Sequence, residues 1–333
     1  MSNVVRWGLI STANINNALI GPIKAAGRSE LVGIASRDQA KADAYAAEKG
    51  IPNAYGSYEA MLADPNIDAV YISLPNSLHC EWTVVAAEAG KHVLCEKPLV
   101  VSMEEFDRVE AAAVANGVTV FEAFMYLHHP QTIAAQTLIA DGRLGQVQLI
   151  QAWFNFYLSP ERATNIRLRP DVTGGCLWDV GVYPNSLAVT MAHPASPRQI
   201  FASQIIGETG VDVAIRGQFV FEGGAVGQVS SSFRTPFREG TYVVGDEAIL
   251  HIPEPWKPGL KGADSVMTIT NRDGFTEQIV TPAIDPYLCE VEAMEACVLD
   301  GADPVLPLSR SRLFLQCVLA QYQSARTGQV VDL

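Results

Sequence analysis

The chain has 333 residues, of which 48% are hydrophobic and 18% charged, which is material for two domains with separate cores. A formal net charge of −13 argues against nucleic-acid or anionic-membrane partners, since both need a basic surface, yet it leaves room for an anionic cofactor in a local positive pocket. The six cysteines, Cys80, Cys95, Cys176, Cys289, Cys297 and Cys317, form no CxxC pair and no zinc-like Cys/His spacing, so no metal is expected and the thiols read as free and buried.

In chain order, residues 4–10 (VVRWGLI) form an apolar strand. It starts too early to leave room for a signal peptide, and no apolar run approaches the length of a membrane span, so a cytoplasmic protein is expected. The turn 11–16 follows, then a helix to about residue 27. Strands at 31–35, 69–73, 92–95 and 118–122 alternate with helices at 39–49, 57–62, 78–89 and 103–115. That alternation predicts a parallel, doubly wound α/β sheet.

The turn 11–16 sits where a Rossmann fold carries G-x-G-x-x-G, but its three glycine positions read Ser11, Ala13 and Asn16. A plain βα turn is one reading. The other is a cofactor turn, in which Ser11, Thr12, Ala13, Asn14 and Ile15 bring backbone N–H groups and hydroxyls to a pyrophosphate. The second strand ends in Ser36-Arg37-Asp38. An acid at the strand end would hold the ribose of NAD; a serine and an arginine suit the 2′-phosphate of NADP, since arginine offers several fixed donors and a stacking plane. Asp38 is expected to cap the next helix. NADP is therefore expected, with NAD possible. Leu74, Pro75, Asn76 and His79 follow the third main strand. Asn76 and His79 either face the cofactor crevice or serve as turn former and helix cap.

Cys95-Glu96-Lys97-Pro98 closes the strand 92–95. A lysine there lies at the carboxyl edge of a parallel sheet, where open α/β sheets bind ligands. Partly desolvated, it can pass a proton. Asp179 and Tyr183 stand four apart on an expected helix and share one face. Lys97, Tyr183 and Asp179 together make a proton-transfer set for oxidising an alcohol or reducing a carbonyl. Beyond residue 146, strands are expected at 147–157, 199–206, 211–221, 225–233, 241–244, 248–252, 266–270 and 276–280, and helices at 290–299 and 309–326. Gly223-Gly224 and Asp273-Gly274 read as hairpin turns. Arg167, in the polar stretch 159–172, either contacts a sugar hydroxyl or phosphate or forms a structural salt bridge. A large sheet with one solvent-facing side invites homodimer or homotetramer packing.

The segments Gly90–Leu99 (GKHVLCEKPL), Ser36-Arg37, residues 74–79 (LPNSLH) and residues 174–184 (GGCLWDVGVYP) resemble the signature of the Gfo/Idh/MocA oxidoreductases. The resemblance covers nearly the whole chain. It implies an N-terminal Rossmann domain over residues 1–123 that binds NADP. It also implies a C-terminal α+β domain over 124–333, with an open, mostly antiparallel sheet, for substrate binding and oligomerisation. By the same resemblance Lys97 is the catalytic lysine, Glu96 helps to hold the nicotinamide end, and the bond before Pro98 is cis. Tyr183 stands where many members carry histidine. This resembles the tyrosine-type subgroup of glucose–fructose oxidoreductase, xylose dehydrogenases, dihydrodiol dehydrogenases and keto-sugar reductases. Residues 124–131 (FMYLHHPQ) resemble the same subgroup and bring in Tyr126 as a substrate contact beside Arg167, Asp179 and Tyr183.

The function expected is NADP-dependent hydride exchange with a secondary alcohol or carbonyl of a pyranose or sugar derivative. Tyr183 and Lys97 would exchange the hydroxyl proton, and Asp179 would position the substrate or the lysine. Two rivals are a trans-dihydrodiol dehydrogenase, which the aromatics of 153–157 leave open, and a non-catalytic NADP-binding regulator.

Overall fold

The computed structural model describes residues 3–333, and these form two compact units. One runs to His128 and includes Pro286–Arg312; the other comprises His129–Asp285 and Leu313–Leu333.

In the first unit, strands β1 (Val5–Ile10), β2 (Ser29–Ala35), β3 (Asn53–Tyr55), β4 (Ala69–Ile72), β5 (His92–Glu96) and β6 (Val120–Ala123) alternate with helices α1 (Asn16–Ala25), α2 (Gln39–Lys49), α3 (Tyr58–Leu62), α4 (His79–Glu88) and α5 (Met103–Asn116). The sheet order is β3-β2-β1-β4-β5-β6, and every pair is parallel. β4 and β6 are buried at every residue, as strands covered by helices on both faces must be. The order reverses between β1 and β4, so the switch point lies at their carboxyl ends, the binding edge of such sheets. Asp38 and Ser102 cap α2 and α5 by accepting from Lys41 N at 3.1 Å and Glu105 N at 3.2 Å, which fixes where each helix leaves that edge.

The second unit carries α6 (Pro130–Ala140), β7 (Val147–Tyr157), α7 (Val182–Ala192), β8 (Pro197–Ile206), β9 (Asp212–Phe221), β10 (Val226–Ser232), β11 (Arg234–Gly245), β12 (Ala248–Ile252), β13 (Ser265–Asn271), β14 (Thr276–Thr281) and β15 (Val331–Asp332). The sheet order is β14-β13-β12-β11-β7-β10-β9-β8-β15. All pairs are antiparallel except β7 with β10. The two glycine hairpins form as expected, with Gly223 and Gly274 at φ 80° and 82°. α7 is buried along its whole length and packs against β7 and β10.

The fold class agrees with the sequence reading; some details differ. β11 is one long strand from Arg234, where only 241–244 looked strand-like. Pro236 and a register break between Arg234 and Arg238 disguise its first half. α6 and the short polar β3 lack a clear periodic signal. Beyond the single boundary expected after residue 123, the chain returns to the first unit late: α8 (Pro286–Asp300) packs against α1 and the turn Met125–His128, burying Tyr287, Val291 and Met294. α9 (Leu308–Thr327) follows. The cysteines are free; five are buried and Cys297 is half-buried. Among the described residues no helix is long and apolar enough to cross a membrane, and no cluster of His, Cys, Asp or Glu has the arrangement of a metal site.

Candidate active site

The parallel topology puts four turns at the carboxyl edge of the first sheet: Ser11–Asn16 after β1, Ser36-Arg37 after β2, Ser73–Asn76 after β4 and Lys97-Pro98 after β5. The β1 turn has taken the shape a glycine would allow. Ser11 has φ 91°, in the region that side chains avoid at a cost of about 1–3 kcal/mol. Its hydroxyl accepts from Ala13 N at 3.2 Å and stands 3.2 Å from Ser73 O. Asn16 is fully buried, donates from Nδ2 to Ser11 O at 2.7 Å and accepts from the Ser73 hydroxyl at 2.7 Å. The β1 and β4 turns are thus tied together across the switch point by side chains. Thr12, Ala13 and Ile15 are half-buried and Asn14 is exposed. α1 has no acidic residue in its first turn and no side-chain cap, so its N-terminus suits a phosphate anion.

Ser36 is buried and Arg37 exposed after β2. Asp38 is engaged in capping α2, so the acidic ribose ligand of an NAD site is not in place, and a guanidinium stands at the strand end instead. Leu74, Pro75 and Asn76 are half-buried in the β4 turn. His79 corrects one expectation: it is fully buried, with Nδ1 2.7 Å from Pro98 O and Nε2 2.7 Å from Leu74 O. Burial pushes its pKa down. It is a strut between the β4 and β5 turns and has no surface left for a cofactor.

The Lys97-Pro98 bond is cis, as the resemblance implied. Lys97 is half-buried. Glu96 accepts a hydrogen bond from Tyr71 at 2.5 Å; burial, with the Glu96 charge beside it, holds the Tyr71 hydroxyl well above its usual pKa, so it donates and does not ionise. Tyr126 also departs from expectation. It has no exposed surface and packs edge-on against Phe124, with centroids 6.1 Å apart, so it backs the strand end and presents nothing to a substrate.

In the second unit the glycine-rich segment is built by close backbone approach. Gly174 N and Gly175 N donate to Arg169 O at 2.8 Å and Arg167 O at 2.9 Å. A Cβ on Gly174 would lie 2.7 Å from the carbonyl oxygens of Ile166, Arg167 and Arg169. At Gly175, where φ is 138°, a Cβ would fall 2.3 Å from Asp212 Oδ1. The next five residues, Leu177–Gly181, wind as a π-helical turn before α7, so the expected uniform α-helix is replaced by a wider turn; such turns recur at functional sites. Cys176 and Val180 enter the core with Leu168, Val213 and Phe233, which leaves Asp179 facing away from it.

Asp179 pairs with Arg167, Nε to Oδ2 at 2.7 Å, with side chains 17% and 42% exposed. Of the two readings for Arg167, the salt bridge is the one observed. Tyr183 lies one turn further, 7% exposed, against Phe154 and Trp256 with ring centroids 5.5 and 5.7 Å away; Phe237, 65% exposed, packs on Phe154. The turn has a brace that sequence reasoning missed: Asp212 accepts from Leu177 N and from the Tyr322 hydroxyl, both at 2.7 Å. Burial raises the pKa of Asp212, and Tyr322 is held well above its usual value. Only partnership across 110 residues reveals them; neither carries a local motif. Two concavities on a face of the second sheet, of about 440 and 510 Å³, are lined by residues such as Arg216, Ser230 and Arg238, away from the expected site residues.

Comparison with known proteins places both halves of the chain in one family. Residues 5–124 match the oxidoreductase family with a NAD-binding Rossmann fold (GFO_IDH_MocA), and residues 132–251 match the GFO/IDH/MocA C-terminal domain. The chain is 40% identical to D-xylose 1-dehydrogenase (NADP(+)) 2 of Haloferax volcanii, covering 98% of this chain and 99% of that protein. It is 29% identical to trans-1,2-dihydrobenzene-1,2-diol dehydrogenase of Mus musculus, covering 94% of each. Among solved structures it resembles the 3-ketoreductase KijD10 of Actinomadura kijaniata in complex with NADP and TDP-benzene, with a TM-score of 0.88 and 29% identity over 96% of this chain and 98% of that one. With both halves matched and the lysine, aspartate and tyrosine motifs in place, the chain belongs to the Gfo/Idh/MocA family of oxidoreductases.

Proposed function

We propose that this protein exchanges a hydride between NADP(H) and a secondary alcohol or carbonyl of a pyranose or sugar derivative. The observation that carries this reading is Lys97, half-buried at the carboxyl edge of β5 beside the turns that suit a dinucleotide. NADP is favoured over NAD because Asp38 is committed to the α2 cap and leaves Arg37 to meet a 2′-phosphate. The residues expected to hold the dinucleotide are the backbone of 11–15, Ser36, Arg37, the turn 74–76, Glu96 and Lys97. Bound there, the nicotinamide would supply the hydride donor or acceptor. Lys97 and Tyr183 exchange the proton of the substrate hydroxyl, and Asp179, held by Arg167, orients that hydroxyl.

The aromatic surroundings of Tyr183 favour a second reading. Phe154, Trp256 and the exposed Phe237 offer an apolar wall that could stack on the C–H face of a pyranose or on the ring of an aromatic diol. A panel of aldopyranoses, keto-sugars and trans-dihydrodiols, followed by absorbance of the reduced nicotinamide with NADP+ and NAD+, separates the two. Turnover of none of them, with NADP binding intact, would instead indicate a regulator. For any substrate found, Lys97→Met should lower kcat by about 10²-fold or more while cofactor affinity stays close to wild type; a variant with a tenth of the wild-type rate would remove Lys97 from the chemistry. Arg37→Ala should weaken NADP more than NAD in fluorescence titrations, and equal weakening would reduce Arg37 to an adenine-stacking group. The open sheet face, where Phe201 and Ile205 are 46% and 50% exposed, supports a homo-oligomer; light scattering gives its size.

A further inference from the structure

A buried carboxyl group stands behind the lysine turn with no structural need for its charge. Glu122 lies on β6, opposite Cys95 of β5, and is 5% exposed. Its Oε1 accepts from Leu99 N at 3.0 Å, two residues past Lys97 and on the far side of Pro98. Its Oε2 is buried and has no hydrogen-bond partner. A glutamine would hold Leu99 N equally well without burying an ionisable group, and burying a charge is costly unless something nearby uses it. The ionic group that acts on it is Lys97. The other groups around it are the Cys95 thiol from β5, itself pushed well up by burial, and the Ser311 hydroxyl from α9.

We propose that Glu122 is a positioning residue for Lys97: it pins the turn that presents the lysine, and its carboxylate supplies the counter-charge that keeps the ammonium poised for proton transfer. The proposal rests on Lys97 exchanging the substrate proton, as argued above. Burial raises the pKa of Glu122 to about 7, with the Leu99 N–H bond, the Ser311 hydroxyl and then the Lys97 charge pulling the other way. The counter-charge is therefore absent in mildly acidic solution and present in mildly alkaline solution. The same shift has a stability consequence with a definite sign. Between the unfolded carboxyl value near 4.5 and about 7, the folded state holds a proton that the unfolded state has lost, so stability falls as pH rises through that window.

Glu122→Gln mimics the protonated form and keeps the acceptor for Leu99 N. Two measurements on the full-length protein test it. In thermal melts from pH 4 to 9, the variant should gain Tm over wild type progressively between about pH 5 and 7 and hold that gain above. In kcat/KM profiles with NADP+ and the best substrate of the panel, variant and wild type should coincide near pH 6. By pH 8 the variant should be lower by about five- to ten-fold, with NADP+ affinity unchanged within about two-fold. Parallel melting curves would mean that Glu122 carries no buried charge. Superimposed rate profiles would mean that the charge does not act on Lys97. Either result overturns the proposal. Failure of the lysine reading itself is seen separately, as retained activity in Lys97→Met.

Discussion

The β1 turn of the first unit and the glycine-rich turn of the second face the same problem and solve it with opposite chemistry. Both must bring backbone into close approach at a strand or helix end. The second unit uses Gly174 and Gly175, where any Cβ would strike three carbonyl oxygens or Asp212. The first unit has no glycine at positions 11, 13 and 16 and still adopts the tight turn: Ser11 accepts φ 91°, and Asn16 and Ser73 lock the geometry by hydrogen bonds. Backbone freedom is replaced by side-chain cross-linking in one place and is irreplaceable in the other, because a hydrogen bond can offset torsional strain but cannot relieve overlap with backbone oxygens.

The comparison is sharpest at Gly174. Gly174→Ala should destabilise the second unit by about 3 kcal/mol or more, since three carbonyl groups 2.7 Å from the new Cβ have to move. Urea unfolding would show a lower midpoint and lost activity together; a shift under about 1 kcal/mol would mean that the segment yields easily and the contrast is false.

Asn16→Ala should be intermediate. It removes one buried and one part-buried hydrogen bond, each of 2.7 Å, and leaves Ser11 O without that partner, a loss of about 2 kcal/mol. NADP affinity should fall with it, because the turns on both sides of the switch point loosen. If stability falls and NADP affinity does not, the cross-link supports the core alone.

Ser11→Gly should have the smallest effect, within about 1 kcal/mol of wild type. Glycine relieves the positive φ but forfeits the contacts to Ala13 N and Ser73. A large loss would show that the hydroxyl, and not the backbone shape, is what the turn requires.

Much of the first unit is legible along the chain because its strands are continuous apolar runs and its helices begin at recognisable caps such as Asp38 and Ser102. The candidates Lys97, Asp179 and Tyr183 are likewise singled out by local motifs, Glu-Lys-Pro and the Gly-Gly…Asp…Tyr segment, and Asp38 as a cap is correct from position alone. The misreadings share a cause. His79 and Tyr126 carry the right chemistry at the right place in the sequence, yet they point inward, one bridging two carbonyls and the other against Phe124. Side-chain direction depends on the turn conformation and on what packs behind it.

Periodicity, caps and short motifs along the sequence determine the alternation of elements, the family, and which residue types stand at the carboxyl edge, since these are interactions among near neighbours. Tertiary structure decides which of those residues are working surface and which are struts. It brings Asp212 to the π-turn from 35 residues away and Tyr322 to Asp212 from 110, joins Arg167 to Asp179, and buries the Glu122 carboxyl behind the lysine turn with only its Oε1 bonded. The physical reason is that burial and hydrogen-bond partnership are properties of where the chain returns, and no local pattern encodes the return.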